Sequence, residues 1–107
     1  MIELCNTDDI PLETSKGFEL KDGRAIFVVE RDGQFHGYLN KCPHLGVELN
    51  WEEDRFLDMD GALIQCSTHA AVFIIETGEC VGGPCQGEAL TAVEIHQRDG
   101  KLLINSA

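Results

Sequence analysis

The sequence predicts an all-β fold, an antiparallel sandwich or small barrel, on three observations. Turn pairs recur along the chain at Asp22-Gly23, Asp32-Gly33, Asp60-Gly61, Thr77-Gly78 and Asp99-Gly100. Most are flanked by β-branched or aromatic residues, and Asx-Gly pairs supply the positive φ angles of tight hairpin turns. No comparably long stretch carries a helical period.

The elements follow in chain order. A first strand holds Cys5, and further strands are expected at Ala25 to Glu30, Gln34 to Asn40, Leu63 to Cys66, Val72 to Ile75, Thr91 to Gln97 and Lys101 to Asn105. Several show the period of two of a half-buried strand. In Thr91 to His96, Ala92 and Glu94 alternate with Val93 and Ile95. Leu49 to Phe56 is the best helical candidate, but it is brief and acidic and reads as a loop or a single turn. Six to eight short strands joined by hairpins fit a sandwich or barrel. Cys42 to Gly61 and Cys80 to Ala89 lack strand character and are expected to be loops, which at that length carry function or close over something.

A chain of 107 residues with 43% hydrophobic composition can bury one core, so residues 1–107 are expected to form one domain. Nineteen acidic residues against eight basic ones give a formal charge of -11, with much of the excess between Glu48 and Asp60. Such a surface repels nucleic acid and anionic membrane, and it either favours a partner with a basic patch or only keeps the protein soluble. The segment MIELCNTDDIP has neither a basic leader nor a continuous apolar stretch, and the longest apolar run is Ala70 to Ile75, so a cytoplasmic location is expected. Five cysteines fit a fully paired disulfide framework poorly and fit metal-binding thiolates in a reducing compartment better.

The chemistry is concentrated in two loops. Cys42-Pro43-His44-Leu45-Gly46 is followed, after a gap of 21 residues between His44 and Cys66, by Cys66-Ser67-Thr68-His69. Each offers one thiolate and one imidazole. Thiolates suit iron in a sulfide cluster, and imidazoles suit iron or zinc. The set therefore allows a single zinc or a [2Fe–2S] cluster with the thiolates on one iron and the imidazoles on the other. A zinc finger pairs Cys with Cys and His with His, the latter on a helix. Here each pair is mixed and lies between strands, which favours the cluster.

Cys-Pro-His-Leu-Gly and Cys-x-x-His on loops between strands resemble the two cluster-binding loops of the Rieske family. The resemblance implies an all-β Rieske-like architecture with an inserted cluster-binding subdomain, its loops at about residues 42–46 and 66–70. It implies one [2Fe–2S] cluster, with Cys42 and Cys66 on one iron and His44 and His69 on the other. Gly82-Gly83-Pro84 resembles the proline loop that shields the cluster, and Leu45, Gly46, Thr68, Ala71, Phe73 and Pro84 would surround it. The family's high-potential respiratory members carry a serine, a tyrosine and a disulfide at positions matched here by Ala71, Phe73, Val47 and Thr68, which supply none of them. The potential is then expected near the low end of a family range of roughly -150 to +300 mV. Two departures stand out: the spacing between the loops is a few residues longer than usual, through Asn50 to Leu57, and Ala70 replaces a frequent glycine. An ordinary β or bridge conformation is expected at Ala70.

The resemblance further implies a one-electron carrier with no small-molecule substrate, which is not an enzyme by itself. It would run between a flavin-containing reductase and a terminal oxygenase, with electrons passing through the iron bearing His44 and His69 and with Leu45 and Pro84 as an apolar rim. The alternatives are a small subunit of a larger enzyme, such as a nitrite reductase, and a zinc-binding interaction module.

The remaining candidates read as structural. Cys80 and Cys85 flank the Gly82-Gly83-Pro84 turn and read as packing residues, with a local disulfide or ligation as alternatives. Cys5 reads as a buried thiol. His36 and His96 lie in strands without a ligand partner at short spacing. Glu52, Glu53 and Asp54 have no accompanying pocket residues and read as docking surface at most, and Trp51 reads as a loop anchor in the core, with an exposed contact residue as the alternative. Gly82 to Gly87 lacks the Lys-Ser or Lys-Thr of a phosphate loop, and Ser67 and Thr68 beside His69 lack a third triad member.

Overall fold

The computed structural model describes residues 1–43, 48–49, 54, 56–58, 61–66, 71–83 and 87–105. Among them the chain forms strands β1 (Ile2–Asn6), β2 (Ser15–Glu19), β3 (Ala25–Arg31), β4 (Gln34–Leu39), β5 (Leu63–Gln65), β6 (Val72–Ile74), β7 (Cys80–Gly82), β8 (Ala92–Val93), β9 (His96–Arg98) and β10 (Lys101–Ile104). A 3₁₀ turn at Thr7–Asp9 follows β1. All pairings are antiparallel, in three sheets ordered β1-β10-β9, β2-β3-β4-β8 and β5-β6-β7.

The second sheet is the middle layer. In β3 the run Ile26 to Glu30 is buried throughout, rather than alternating, because both faces are covered. Val28 packs with Ile10, Leu102 and the half-buried Leu4, Phe18, Phe35 and Ile95 on the side of the first sheet. Phe27 and Val29 pack on the other side with Tyr38, Phe56, Ile64, Phe73 and Ile75. Phe27 stacks on Phe56 with centroids 4.4 Å apart and planes 7° from parallel.

The turn chemistry acts as expected. Asp32 and Gly33 (φ 53° and 81°) and Asp99 and Gly100 (φ 53° and 75°) are the two-residue hairpin loops of β3–β4 and β9–β10.

Two readings are corrected, and one strand is added. The expected strand Thr91 to Gln97 divides: β8 joins the second sheet and β9 the first. The crossing point is Ile95, whose side chain fills the space over Gly37, where a β-carbon would lie 2.5 Å from Ile95 Cδ1. The expected loop from Cys80 to Ala89 begins with β7, because Cys80 pairs with Phe73 and its amide donates to the Glu88 carbonyl (2.9 Å). The unexpected β2 has only Phe18 as a strong strand former, and pairing along β3 from Ser15↔Val29 to Glu19↔Ala25 creates it.

Of the segment Leu49 to Phe56, the described residues are Leu49, Asp54 and Phe56; residues 50–53 and 55, including Trp51, Glu52 and Glu53, lie outside. Leu49 and Phe56 are buried. Asp54 adopts φ 63°. Among the described residues no helix is long and apolar enough to cross a membrane.

Candidate metal centre

Both cysteine loops leave the ends of strands, and each is closed at its foot by a hydrogen bond. After β4, the Asn40 side-chain Oδ1 accepts from the Leu49 amide at 2.8 Å, which brackets the first loop. After β5, the Cys66 amide donates to the Ala71 carbonyl at 2.8 Å, which brackets the second. The two feet therefore fix where Cys42 and Cys66 leave their strands.

Cys42 and Cys66 are both fully buried, in one cluster with Leu49, Ile64, Ala71, Phe73 and Cys80. This donor set fits an iron–sulfur centre: paired thiols at the feet of two loops, with apolar neighbours that keep the local dielectric low. His44 and His69, with Leu45, Gly46, Val47, Thr68, Ala70, Pro84 and Cys85, lie outside the described residues, so of the four expected ligands the structure describes Cys42 and Cys66, both in the same buried cluster. Ala71 and Phe73, expected near the site, are both fully buried.

The glycine pair beside the site packs closely. A β-carbon on Gly82 would lie 2.9 Å from Val72 Cγ2, and one on Gly83 (φ 89°) would lie 2.7 Å from Ala71 Cα. Cys80 is buried, and its Sγ donates to the Gly82 carbonyl at 3.2 Å.

Elsewhere the structure assigns other roles. Asp54, read as docking surface, is a tie: its Oδ1 accepts from the Gly17 amide (2.8 Å) and its carbonyl from the Ser15 hydroxyl (2.7 Å). Its carboxylate also lies 3.8 Å from Lys16 Nζ. Cys5 is half-buried rather than buried, beside a bulge in β1. Burial first, and Asp9 second, raise its thiol pKa, against Lys16. His36 and His96 are half-buried in β4 and β9, the latter with Nε2 3.8 Å from Glu94 Oε1.

Two important residues escaped the sequence reading. Glu30 is buried and its carboxylate accepts from the amides of Glu13 (2.7 Å) and Gly33 (2.9 Å). A charged residue ending an apolar run just before an Asp-Gly turn was the available signal. The buried Tyr38 hydroxyl donates to the Ile75 carbonyl at 2.6 Å, and burial with the nearby Glu76 charge pushes its pKa up to about 12.

Fold and site together define a small antiparallel β protein with one cysteine loop after β4 of the second sheet and another after β5 of the third. The chain belongs to the Rieske [2Fe-2S] domain family, whose model matches residues 1–97. It is 31% identical over 86 residues to the ferredoxin component of the p-cumate 2,3-dioxygenase system of Pseudomonas putida, covering 80% of this chain and 70% of that one. It is also 31% identical over 105 residues to the ferredoxin component of the alkene monooxygenase system of Xanthobacter autotrophicus, covering 98% and 80%. The solved Sphingomonas yanoikuyae B1 ferredoxin superposes with a TM-score of 0.79 at 24% identity over 99% of this chain and 98% of that one, a likeness of fold. The chain is thus a Rieske-type electron carrier with a [2Fe–2S] cluster as its cofactor, an electron-transfer component rather than a catalyst.

Proposed function

We propose that Cys42 and Cys66 hold one iron of the cluster and His44 and His69 the other, and that the chain carries single electrons from a flavin-containing reductase to a terminal oxygenase. The observation that carries the ligand assignment is the burial of Cys42 and Cys66 in one apolar cluster, at the feet of two loops that each contain a histidine. When bound, the cluster takes up and releases one electron. Imidazole in place of two thiolates makes it less negative and eases its reduction. The protein's own part is to hold the ligands, keep water from the thiolates, and present the histidine side to a partner.

The partner class is supported by relatives that are ferredoxin components of a dioxygenase and of a monooxygenase system. The charge distribution supports a basic docking patch. From Phe56 to Gln97 the sequence contains no Lys or Arg, but it contains Asp58, Asp60, Glu76, Glu79, Glu88 and Glu94. We read residues 1–107 as one domain, supported by the pairing of Ile2 with Ile104, and place it in the cytoplasm.

Iron, sulfide and zinc analysis of the purified protein tests the reading. About two irons and two sulfides per chain with visible absorption are expected. A colourless protein with stoichiometric zinc would overturn it.

A further inference from the structure

We propose that Gly83 is a positioning residue for the second cysteine loop, buttressing Ala71 and, through it, the backbone of Cys66. The functional consequence rests on Cys66 being a cluster ligand.

Gly83 adopts φ 89°, and a β-carbon there would stand 2.7 Å from Ala71 Cα and 3.1 Å from Ala71 N. The obstacle is backbone, so it cannot swing aside as a flexible side chain could. Ala71 is fully buried, and its carbonyl accepts the Cys66 amide at 2.8 Å. A β-carbon at position 83 would therefore press on the residue whose carbonyl holds the Cys66 amide. The position of Gly83 itself is set from behind: the Cys80 thiol donates to the Gly82 carbonyl (3.2 Å), and the Cys80 amide to the Glu88 carbonyl (2.9 Å).

Gly87 provides the contrast. It shares the left-handed conformation, with φ 93°, but a β-carbon there would meet nothing within 4 Å. Alanine at either position carries a similar backbone strain. Only Gly83→Ala also drives Ala71 away from its place beside Cys66.

The test compares Gly83→Ala with Gly87→Ala in the cluster-loaded protein by redox titration, thermal melting and hydrogen exchange at the Cys66 amide. Both variants should melt below the wild type. Only Gly83→Ala should raise the midpoint potential and speed exchange at Cys66. Moving Ala71 admits water, which favours the reduced site with its extra negative charge. Wild-type potential and exchange in a folded Gly83→Ala protein would overturn the proposal, as would equal potential shifts in the two variants.

Should Gly83→Ala fail to fold, Ala71→Gly removes the methyl that lies 3.2 Å from the Gly83 β-position and keeps the backbone. Gly83→Ala added to that relieved background should still speed exchange at the Cys66 amide beyond Ala71→Gly alone, and equal exchange in the two refutes the buttress. The exchange readout needs no cluster, so it tests the contact even if Cys66 proves not to be a ligand. That separate failure would show as a Cys66→Ala protein retaining its full iron.

Discussion

The Tyr38 hydroxyl donates a 2.6 Å hydrogen bond to the Ile75 carbonyl, tying β4 of the middle sheet to the turn between β6 and β7. The turn is shaped to receive the ring: a β-carbon on Gly78 (φ 76°) would lie 2.7 Å from Tyr38 Cε1. Tyr38→Phe leaves the Ile75 carbonyl buried without this donor and should destabilise the fold by about 1 to 2 kcal/mol. A melt lowered by several degrees checks it, at roughly 4 to 8 °C per kcal/mol for a domain of this size.

The same tyrosine predicts an alkaline limit. Its folded pKa of about 12 lies above the ordinary value of 10.0, so the folded state holds the phenol proton more tightly than the unfolded chain does. Its contribution is complete below the unfolded pKa and is lost as pH rises from 10.0 through about 12. Denaturant midpoints across this window should fall more steeply in the wild type than in Tyr38→Phe. Parallel curves would contradict this.

Glu30 predicts a stability effect without a functional one. Glu30→Ala removes the acceptor of the Glu13 and Gly33 amides, loosening both the segment before β2 and the β3–β4 hairpin. A loss of about 2 kcal/mol in urea unfolding is expected. The visible spectrum of the cluster should be unchanged.

The strands and the site were legible in the sequence to different depths. Asp32-Gly33 and Asp99-Gly100 revealed their hairpins because a two-residue turn with both φ angles positive is a local requirement. The family and its cofactor were legible in the two Cys/His motifs because ligand chemistry fixes residue type and spacing. The break between β8 and β9 was not, since it depends on Ile95 meeting Gly37, a residue far away in the chain. Gly83 against Ala71 was hidden for the same reason. The role of Asp54 was hidden too, because a carboxylate that accepts the Gly17 amide resembles a solvated acid until the tertiary partner is known.

The buried cysteines should separate by function. Cys42→Ala and Cys66→Ala should each abolish iron retention. Cys80→Ala, which loses the contact to the Gly82 carbonyl, should keep the iron and lower stability by about 1 kcal/mol. Iron per chain after gel filtration distinguishes the three.

Docking should depend on salt. If the acidic stretch from Phe56 to Gln97 steers a basic partner, the second-order rate of electron transfer from a flavin reductase falls as ionic strength rises. Stopped-flow reduction at low and high salt measures it. A rate that does not change with salt would remove the steering role.

The ligand assignment is tested most directly by electron paramagnetic resonance of the dithionite-reduced protein carrying nitrogen-15 histidine. The account predicts a rhombic signal with hyperfine coupling to two histidine nitrogens, lost when His44 or His69 is replaced by alanine. A reduced cluster with no histidine coupling, or no signal in a protein that binds a single zinc, would contradict it.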